Sequence, residues 1–339
     1  MTDLDSLALF FTAPGQVAVR EERLPPPAAG QVLVQTLHSA ISPGTEMLVY
    51  RGQFPTGLAL DESIAALAGA FRYPLQYGYS AVGRVIAAGA QVDPRWEGRL
   101  VFAFQPHASH FLVAAQDLLR VPEGISAAEA LFLPNMETAV NFVMDGAPLI
   151  GEQVAVFGQG IVGLLTTALL ARFPLGRLVA FDRFALRRKA AAELGAASLD
   201  PDAPGDLEQA HRLLSGGADL AYELSGAPAG LDAALALTGY AGRIVIGSWY
   251  GRKRASLDLG GHFHRSRIRL LSSQVSSLAP ELSGRWTKAR RFDLAWEMIR
   301  QVRPAQFITQ RFAFADAAQA YHLLDQKPAE TIQVIFDYA

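Results

Sequence analysis

The chain has no cysteine among its 339 residues. Disulfides, thiolate nucleophiles and every thiolate zinc site are therefore excluded, and the composition suits a reducing cytoplasm. Neither sign of charge dominates, with 30 Lys and Arg against 32 Asp and Glu. A phosphate backbone or an anionic bilayer needs a concentrated basic face, so neither nucleic acid nor membrane is expected as a partner. The richest basic stretch, Arg252-Lys253-Arg254 continuing to Arg265, Arg267 and Arg269, reads as a solvated surface. Long apolar runs are missing too. The most apolar stretch, Ile161 to Phe181, is broken by Arg172, Pro174, Gly176 and Arg177, which leaves it too short to span a bilayer. The opening MTDLDSLALFF is acidic and strand-like, unlike a signal peptide.

About half of the residues are apolar, enough for a large core, and the length favours two domains. Short strand-like runs at Leu7–Phe11, Gln16–Arg20, Val32–Ser39, Ala81–Ala88 and Leu100–Phe104 make the first part β-rich. An irregular insertion, Arg51 to Tyr73, carries one helical segment near Glu62–Phe71. Ser126-Ala127-Ala128-Glu129 has the spacing of a capping box. From Gln153 onward β and α alternate. Strands are expected at Val154–Phe157, Leu178–Phe181, Leu220–Leu224 and Arg243–Ile246, with helices at Ile161–Arg172, Arg183–Leu194 and Ala229–Leu237 between them. Continuous apolar strands between helices predict a parallel sheet covered on both faces. Helices near Arg290–Gln301 and Ala315–Leu324 precede a closing strand, Thr331–Phe336.

The sharpest motif is Gly158-Gln159-Gly160-Ile161-Val162-Gly163, which follows a strand and opens a helix as a dinucleotide site requires. Gly158 permits the tight turn, Gly160 lets the backbone approach a pyrophosphate, and Gly163 lets helix and strand pack closely. Free N–H groups at the helix start then face the phosphates. Asp182 ends the next strand, 19 residues after Gly163. Its carboxylate can accept from both ribose hydroxyls and would repel a 2′-phosphate, which favours NAD over NADP, although the adjacent Arg183 keeps NADP possible. The fold class expected is α/β, with a Rossmann doubly wound parallel sheet.

With these residues in place, the chain resembles the medium-chain dehydrogenase/reductase superfamily, the zinc alcohol dehydrogenase-like proteins, over nearly its whole length. Ser39-Ala40-Ile41-Ser42-Pro43-Gly44-Thr45-Glu46 is similar to the family's Cys-Gly-Thr-Asp segment, and Gly78-Tyr79-Ser80-Ala81-Val82-Gly83 to its Gly-His-Glu-x-x-Gly. Val121-Pro122-Glu123-Gly124 resembles the usual entry to the cofactor domain. The resemblance implies a GroES-like β domain built from both chain ends, residues 1–123 and 277–339, around a Rossmann domain at 124–276. It also implies a homodimer joined through edge strands of the Rossmann sheet.

The departures bear on chemistry. Pro43, Tyr79 and Pro134 stand where the family carries zinc ligands, Ser80 replaces the neighbouring Glu, and the four-cysteine structural lobe is missing. Proline cannot ligate a metal, and tyrosine and serine are poor zinc ligands. The resemblance, in the wording of its first segment closest to a zinc-free subgroup, therefore implies hydride transfer without zinc. Hydroxyl groups must then replace the metal at the developing alkoxide. Thr45 corresponds to the family's proton-relay hydroxyl, and Tyr79 faces the same cleft; these two are the catalytic candidates. Glu46 and Glu137 are possible proton acceptors, although Glu46 is expected to accept backbone or Arg bonds. Thr138, Ser225, Ile246 and Gly247 fall where the family touches nicotinamide, and Arg187 resembles the residue at the adenosine ribose. A small-molecule substrate would lie near Thr45, Tyr79 and Thr138.

His107 and His110 read as core or strand-edge residues, and His262 and His264 would share one face of a strand. Trp249-Tyr250-Gly251 could wall the cleft or cap the sheet. The expected function is a zinc-independent oxidoreductase moving hydride between NAD(H) and a small alcohol or carbonyl compound. The alternatives are an NAD(P)H-dependent quinone or enoyl reductase, and a non-catalytic nucleotide-binding protein.

Overall fold

The computed structural model describes residues 3–55, 57–61 and 64–338. The chain forms two compact units, Met1–Pro134 with Arg303–Ala339, and Asn135–Val302. These divisions fall later than the expected 123/124 and 276/277, for local reasons. The capped helix Ala127–Ala130 packs on the strands Gln31–Ala40 and Ala81–Ala88, and Ser80 Oγ donates to Leu131 O at 2.7 Å, all within the first unit. At the other end, helix Lys288–Val302 packs on helix Ile161–Leu170 of the second. Ser126 Oγ accepts from Glu129 N at 3.2 Å and Glu129 returns the bond to Ser126 N, so the capping box is real.

The first unit is β-rich. Leu4–Ala13 and Gln16–Leu24 make an antiparallel ribbon. A seven-stranded sheet runs Ile308–Ala313, Gln333–Asp337, Gln31–Ala40, Ala81–Ala88, Leu100–Ala103, Leu119–Arg120, with His110–Ala114 also paired to Gln31–Ala40. Two register shifts between Gln31–Ala40 and Ala81–Ala88 bend these strands, as bulges do. Strand Ala81–Ala88 shows the two-residue period: Val85 and Ala87 are buried while Arg84 and Ile86 face outward. The insertion is not the helix expected near Glu62–Phe71. Among described residues it holds only a 3-10 turn at Ala65–Leu67, begun by Asp61 Oδ1 accepting from Ile64 N at 2.9 Å, and a bridge between Ala59 and Ala70. Glu62 and Ser63 lie outside the described residues.

The second unit holds six parallel strands in the order Ala197–Leu199, Arg177–Phe181, Gln153–Phe157, Ala218–Glu223, Thr238–Ile246, Arg269–Ser272. Numbered within the unit this is 3-2-1-4-5-6, the dinucleotide-binding order, which reverses between Gln153–Phe157 and Ala218–Glu223. Val154, Ala155, Val156, Leu220 and Ala221 are all fully buried, because helices cover both faces of the sheet. His262 and His264 do not lie on a strand. They belong to the short helix His262–Arg265, where residues two apart point to different sides. Gly260 and Gly261 lie in the turn that leads into this helix, and His262 Nε2 bonds Thr238 O at 2.8 Å. No helix among the described residues is long and apolar enough to cross a membrane.

Candidate active site

The glycine turn follows strand Gln153–Phe157, and each glycine has a distinct reason to lack a side chain. Gly158 has φ +91°, and a Cβ there would lie 2.6 Å from the Ser225 backbone. At Gly163 a Cβ would sit 1.9 Å from Gly158 O. Gly160 is different: its φ is −62°, and a Cβ would meet nothing nearer than Arg187 Nη1 at 4.0 Å. The space beside Gly160 is therefore open, and it lies at the start of helix Ile161–Leu170, where no side chain caps the helix. The first N–H groups of a helix have no intrahelical partner, so those of Ile161, Val162 and Gly163 are available to an anion beside Gly160 and the Arg187 guanidinium. These residues fit a dinucleotide.

Asp182 holds this turn together. Its Oδ2 accepts from Gln159 N at 2.7 Å and its Oδ1 from Phe184 N at 2.8 Å. A carboxylate has about four lone-pair positions, so capacity for ribose hydroxyls remains. Arg187 Nη1 stands 3.9 Å from Asp182 Oδ2, and the guanidinium stacks over Phe184 at 4.9 Å. Burial lowers the Arg187 pKa, with Asp182 opposing. Arg188 reaches Asp200 at 2.8 Å and donates to the carbonyls of Asp182 and Arg183.

Across the switch point, Glu223 ends its strand fully buried. Its Oε1 accepts from Ser225 N at 2.8 Å, from Ser225 Oγ and from Gly226 N at 3.2 Å, while its Oε2 accepts from Tyr250 Oη at 2.9 Å. Tyr250 therefore braces this loop from the Trp249-Tyr250-Gly251 segment, and Trp249 is 44% exposed. Lys253 Nζ donates to Gly226 O at 2.7 Å, which takes one cation out of the basic run. Ser248 Oγ accepts from Gly226 N at 2.8 Å. Gly247 is glycine for space: a Cβ would lie 2.4 Å from the Phe142 ring and 2.7 Å from Leu224. Ile246 O accepts from Ser273 N at 3.1 Å. The Ser225 hydroxyl is thus committed to Glu223, a residue the sequence reading passed over. Its signal was an acidic residue closing the apolar run Leu220-Ala221-Tyr222.

Thr138 is half-buried on helix Leu133–Gly146. Its neighbour Glu137 is not a free proton acceptor. Glu137 is 3% exposed and paired with the fully buried Arg291, 2.8 Å away. Burial pushes the Glu137 carboxyl up, while Arg291 pulls it back.

In the first unit, Tyr79 Oη donates to Ser42 Oγ at 2.5 Å and lies 3.5 Å from Thr45 Oγ1. Burial raises the phenol pKa and outweighs the lowering by Ser42 and Thr45. Ser42, which the sequence singled out only as part of the Ser39–Glu46 segment, joins the site. Thr45 starts the six-residue helix Thr45–Tyr50. Glu46, the next residue, is fully buried and faces away from solvent. Its Oε1 accepts from Ser42 N at 2.7 Å, and its Oε2 from Tyr321 Oη at 2.5 Å and His107 Nε2 at 3.0 Å. His107 Nδ1 is 2.6 Å from Ser39 Oγ, which is 2.8 Å from Tyr338 Oη. One tautomer of His107 lets the bonds run in a single direction: Tyr338 donates to Ser39, Ser39 to His107 Nδ1, and His107 Nε2 to Glu46. His107 is thus a core residue, and Gly78 is glycine because a Cβ would lie 2.8 Å from its ring.

The positions matched to zinc ligands hold Pro43, Tyr79 and Pro134, and none is a good metal donor. No group of three or more His, Cys, Asp or Glu able to hold a metal occurs among the described residues.

The strand order and glycine turn define a dinucleotide-binding unit, and the bulged mixed sheet is a GroES-like domain. Residues 162–292 match the zinc-binding dehydrogenase family. D-guloside 3-dehydrogenase of Escherichia coli (strain K12) is 24% identical over 346 residues, 96% of this chain and 98% of that protein. The structure of an E. coli CFT073 protein described as a short chain alcohol dehydrogenase, complexed with NADH, superposes with TM-score 0.79. It is 19% identical and covers 98% of this chain and 99% of its own. A putative zinc-binding dehydrogenase from Sinorhizobium meliloti 1021, bound to NADP, gives TM-score 0.78 at 19% identity, with 98% and 99% coverage. The chain belongs to the medium-chain dehydrogenase/reductase superfamily of oxidoreductases.

Proposed function

We propose that this chain is a zinc-independent dehydrogenase that moves hydride between NAD(H) and the carbinol or carbonyl carbon of a small alcohol or carbonyl compound. The observation that carries the reading is the hydroxyl trio: the Tyr79 phenol bonded to Ser42, with Thr45 in reach, at the position matched to a metal ligand. A hydroxyl cluster of this kind supports carbonyl and alcohol chemistry over quinone or enoyl reduction, which needs no polariser at oxygen.

NAD supplies the hydride acceptor, and NADH the donor. Gly158, Gly160, Ile161, Val162 and Gly163 would hold its diphosphate, Asp182 its ribose with Arg187 beside, and Thr138, Ser225, Ile246 and Gly247 its nicotinamide end. Asp182 favours NAD over NADP because a 2′-phosphate there meets like charge. Tyr79 acts on the substrate oxygen. In the resting arrangement its proton points at Ser42 Oγ. Rotation of the two hydroxyls lets Ser42 donate to Tyr79, which frees the phenol proton for the substrate oxygen, and Thr45 extends the relay. The relative that acts on a guloside supports a polyol or sugar secondary alcohol as the substrate class.

The test is turnover of purified protein with NAD(H) and NADP(H) across polyols, sugars, aldehydes, quinones and enones, with and without chelator, beside zinc analysis. Activity surviving chelation, and a loss of about 100-fold or more in Tyr79→Phe, is expected. Stoichiometric zinc whose removal abolishes activity refutes it. NADH binding with no turnover on any class would make the chain a nucleotide-binding protein. A cytoplasmic homodimer joined through edge strands is part of the same proposal, checked by light scattering.

A further inference from the structure

Arg291 lies on helix Lys288–Val302, outside the sequence motifs, and is fully buried. A guanidinium has five N–H donors. Five bonds are made: Nε to Glu137 Oε1 at 3.1 Å, Nη2 to the same oxygen at 2.8 Å and to Val275 O, and Nη1 to Asn141 Oδ1 at 2.5 Å and Ser277 O at 3.3 Å. The acceptors lie on two pieces of chain. Glu137 and Asn141 are successive turns of helix Leu133–Gly146, and Glu137 adjoins Thr138. Val275 and Ser277 belong to the segment leaving the C-terminal end of strand Arg269–Ser272. Ser273, which begins that segment, bonds Ile246 O and is tied to the same helix through Asn141 Nδ2 at 3.0 Å and Asp145 Oδ2 at 2.5 Å. Loops beyond the carboxyl ends of parallel strands are where this sheet type places its ligand.

We propose that Arg291 is the positioning residue of the nicotinamide end of the cofactor site, clamping the Val275–Ser277 segment to the helical turn that carries Thr138. The inference rests on the reading that this unit binds NAD(H). A planar fork is required, because the two Glu137 bonds leave Nε and Nη2 side by side while Nη1 reaches the opposite carbonyl. A lysine ammonium has three donors on one atom and cannot span both pieces. The adenosine half would be held by the glycine turn and Asp182, and all five Arg291 donors are used elsewhere.

The experiment compares NADH with ADP-ribose, which lacks nicotinamide, by calorimetry on the full chain, and follows the nicotinamide emission of bound NADH. In Arg291→Lys, NADH affinity should fall about tenfold or more and the emission enhancement should be lost. ADP-ribose affinity should stay within about twofold, because the two sites are independent. If Arg291→Lys does not fold, Arg291→Met combined with Glu137→Leu replaces the buried pair by apolar residues and is read the same way. Parallel loss of both ligands, no loss of either, or failure of both variants to fold overturns the proposal. Absence of ADP-ribose and NADH binding in the unmodified chain instead refutes the underlying NAD(H) reading.

Discussion

Adding one methyl group at Gly160 separates a cofactor role from a folding role. Gly160→Ala introduces a Cβ whose nearest neighbour is Arg187 Nη1 at 4.0 Å, at a backbone φ of −62° that any residue adopts. The folded protein should accept it at little net change, because the gain of about 0.4–1 kcal/mol through the unfolded chain is offset by alanine being a poorer N-cap than glycine. The methyl group occupies the space in which a diphosphate would contact the backbone amides. NADH binding should weaken by at least about 1.4 kcal/mol, tenfold in Kd. Gly163→Ala is the contrasting control. Its Cβ would lie 1.9 Å from Gly158 O, backbone that cannot rotate away. Overpacking costs about 1–3 kcal/mol, against which alanine's helix propensity returns about 1 kcal/mol. That variant should lose stability and binding together. Thermal unfolding and calorimetric titration of both variants give the comparison. Wild-type NADH affinity in a well-folded Gly160→Ala protein would refute the assignment of the turn to the diphosphate.

Because burial holds the Tyr79 phenol above its ordinary pKa near 10, alcohol oxidation that uses it as base should accelerate with pH up to at least about 10. Carbonyl reduction, which uses the neutral phenol, should stay flat over the same range, and an oxidation plateau near neutrality would assign the base elsewhere. The phenols of Tyr77, Tyr222, Tyr321 and Tyr338 are all pushed up by burial. Folded pKa values above the unfolded one mean stability present below about pH 10 and lost as pH climbs through the folded values. Melting temperature should therefore drop steeply above about pH 10 together with most of the tyrosinate absorbance, and ionisation of all nine tyrosines without melting would contradict the burial. Asp182→Ser should weaken NADH by about tenfold and strengthen NADPH, since the like charge is gone while Arg183 and Arg187 remain; fluorescence titration with both nucleotides decides. Glu46→Gln turns one of the two accepting oxygens into a donor that faces other donors, and should cost about 1–3 kcal/mol in denaturant unfolding, whereas unchanged stability would mean these bonds do not hold the fold.

The parts of the site readable in the sequence were those fixed by neighbours along the chain. The glycine turn is one, since its three glycines fall within six residues and Gly163 answers to Gly158 O in the same turn. The strands Gln153–Phe157 and Arg177–Phe181 are others, since burial on both faces makes them continuously apolar. What stayed hidden depends on partners distant in sequence. Nothing near Arg291 announces Glu137, 154 positions away, and nothing near His107 announces Glu46, 61 away. Glu223 reads as a polar strand end until the turn of Ser225 and Gly226 folds onto it. His262 and His264 misled because alternation of two residues is compatible with a strand, and only the preceding glycines and the bond to Thr238 O select the helix.

The zinc-free reading draws its force from how the side chains around the matched ligand positions are engaged. Ser80, in place of the family's Glu, donates to Leu131 O. Tyr79 is turned onto Ser42. Glu46 has its charge answered by three donors, Ser42 N, Tyr321 and His107. A carboxylate left buried without such donors would raise its pKa or destabilise the fold by several kcal/mol, on the order of a broken buried pair. The bond from Ser42 N fixes the Ser42 backbone to Glu46, and with it the residue whose hydroxyl receives the Tyr79 proton. One connected set of bonds runs from Tyr338 through Ser39, His107 and Glu46 to Ser42 and Tyr79, so a change anywhere along it reaches the hydroxyl pair proposed to act on the substrate oxygen.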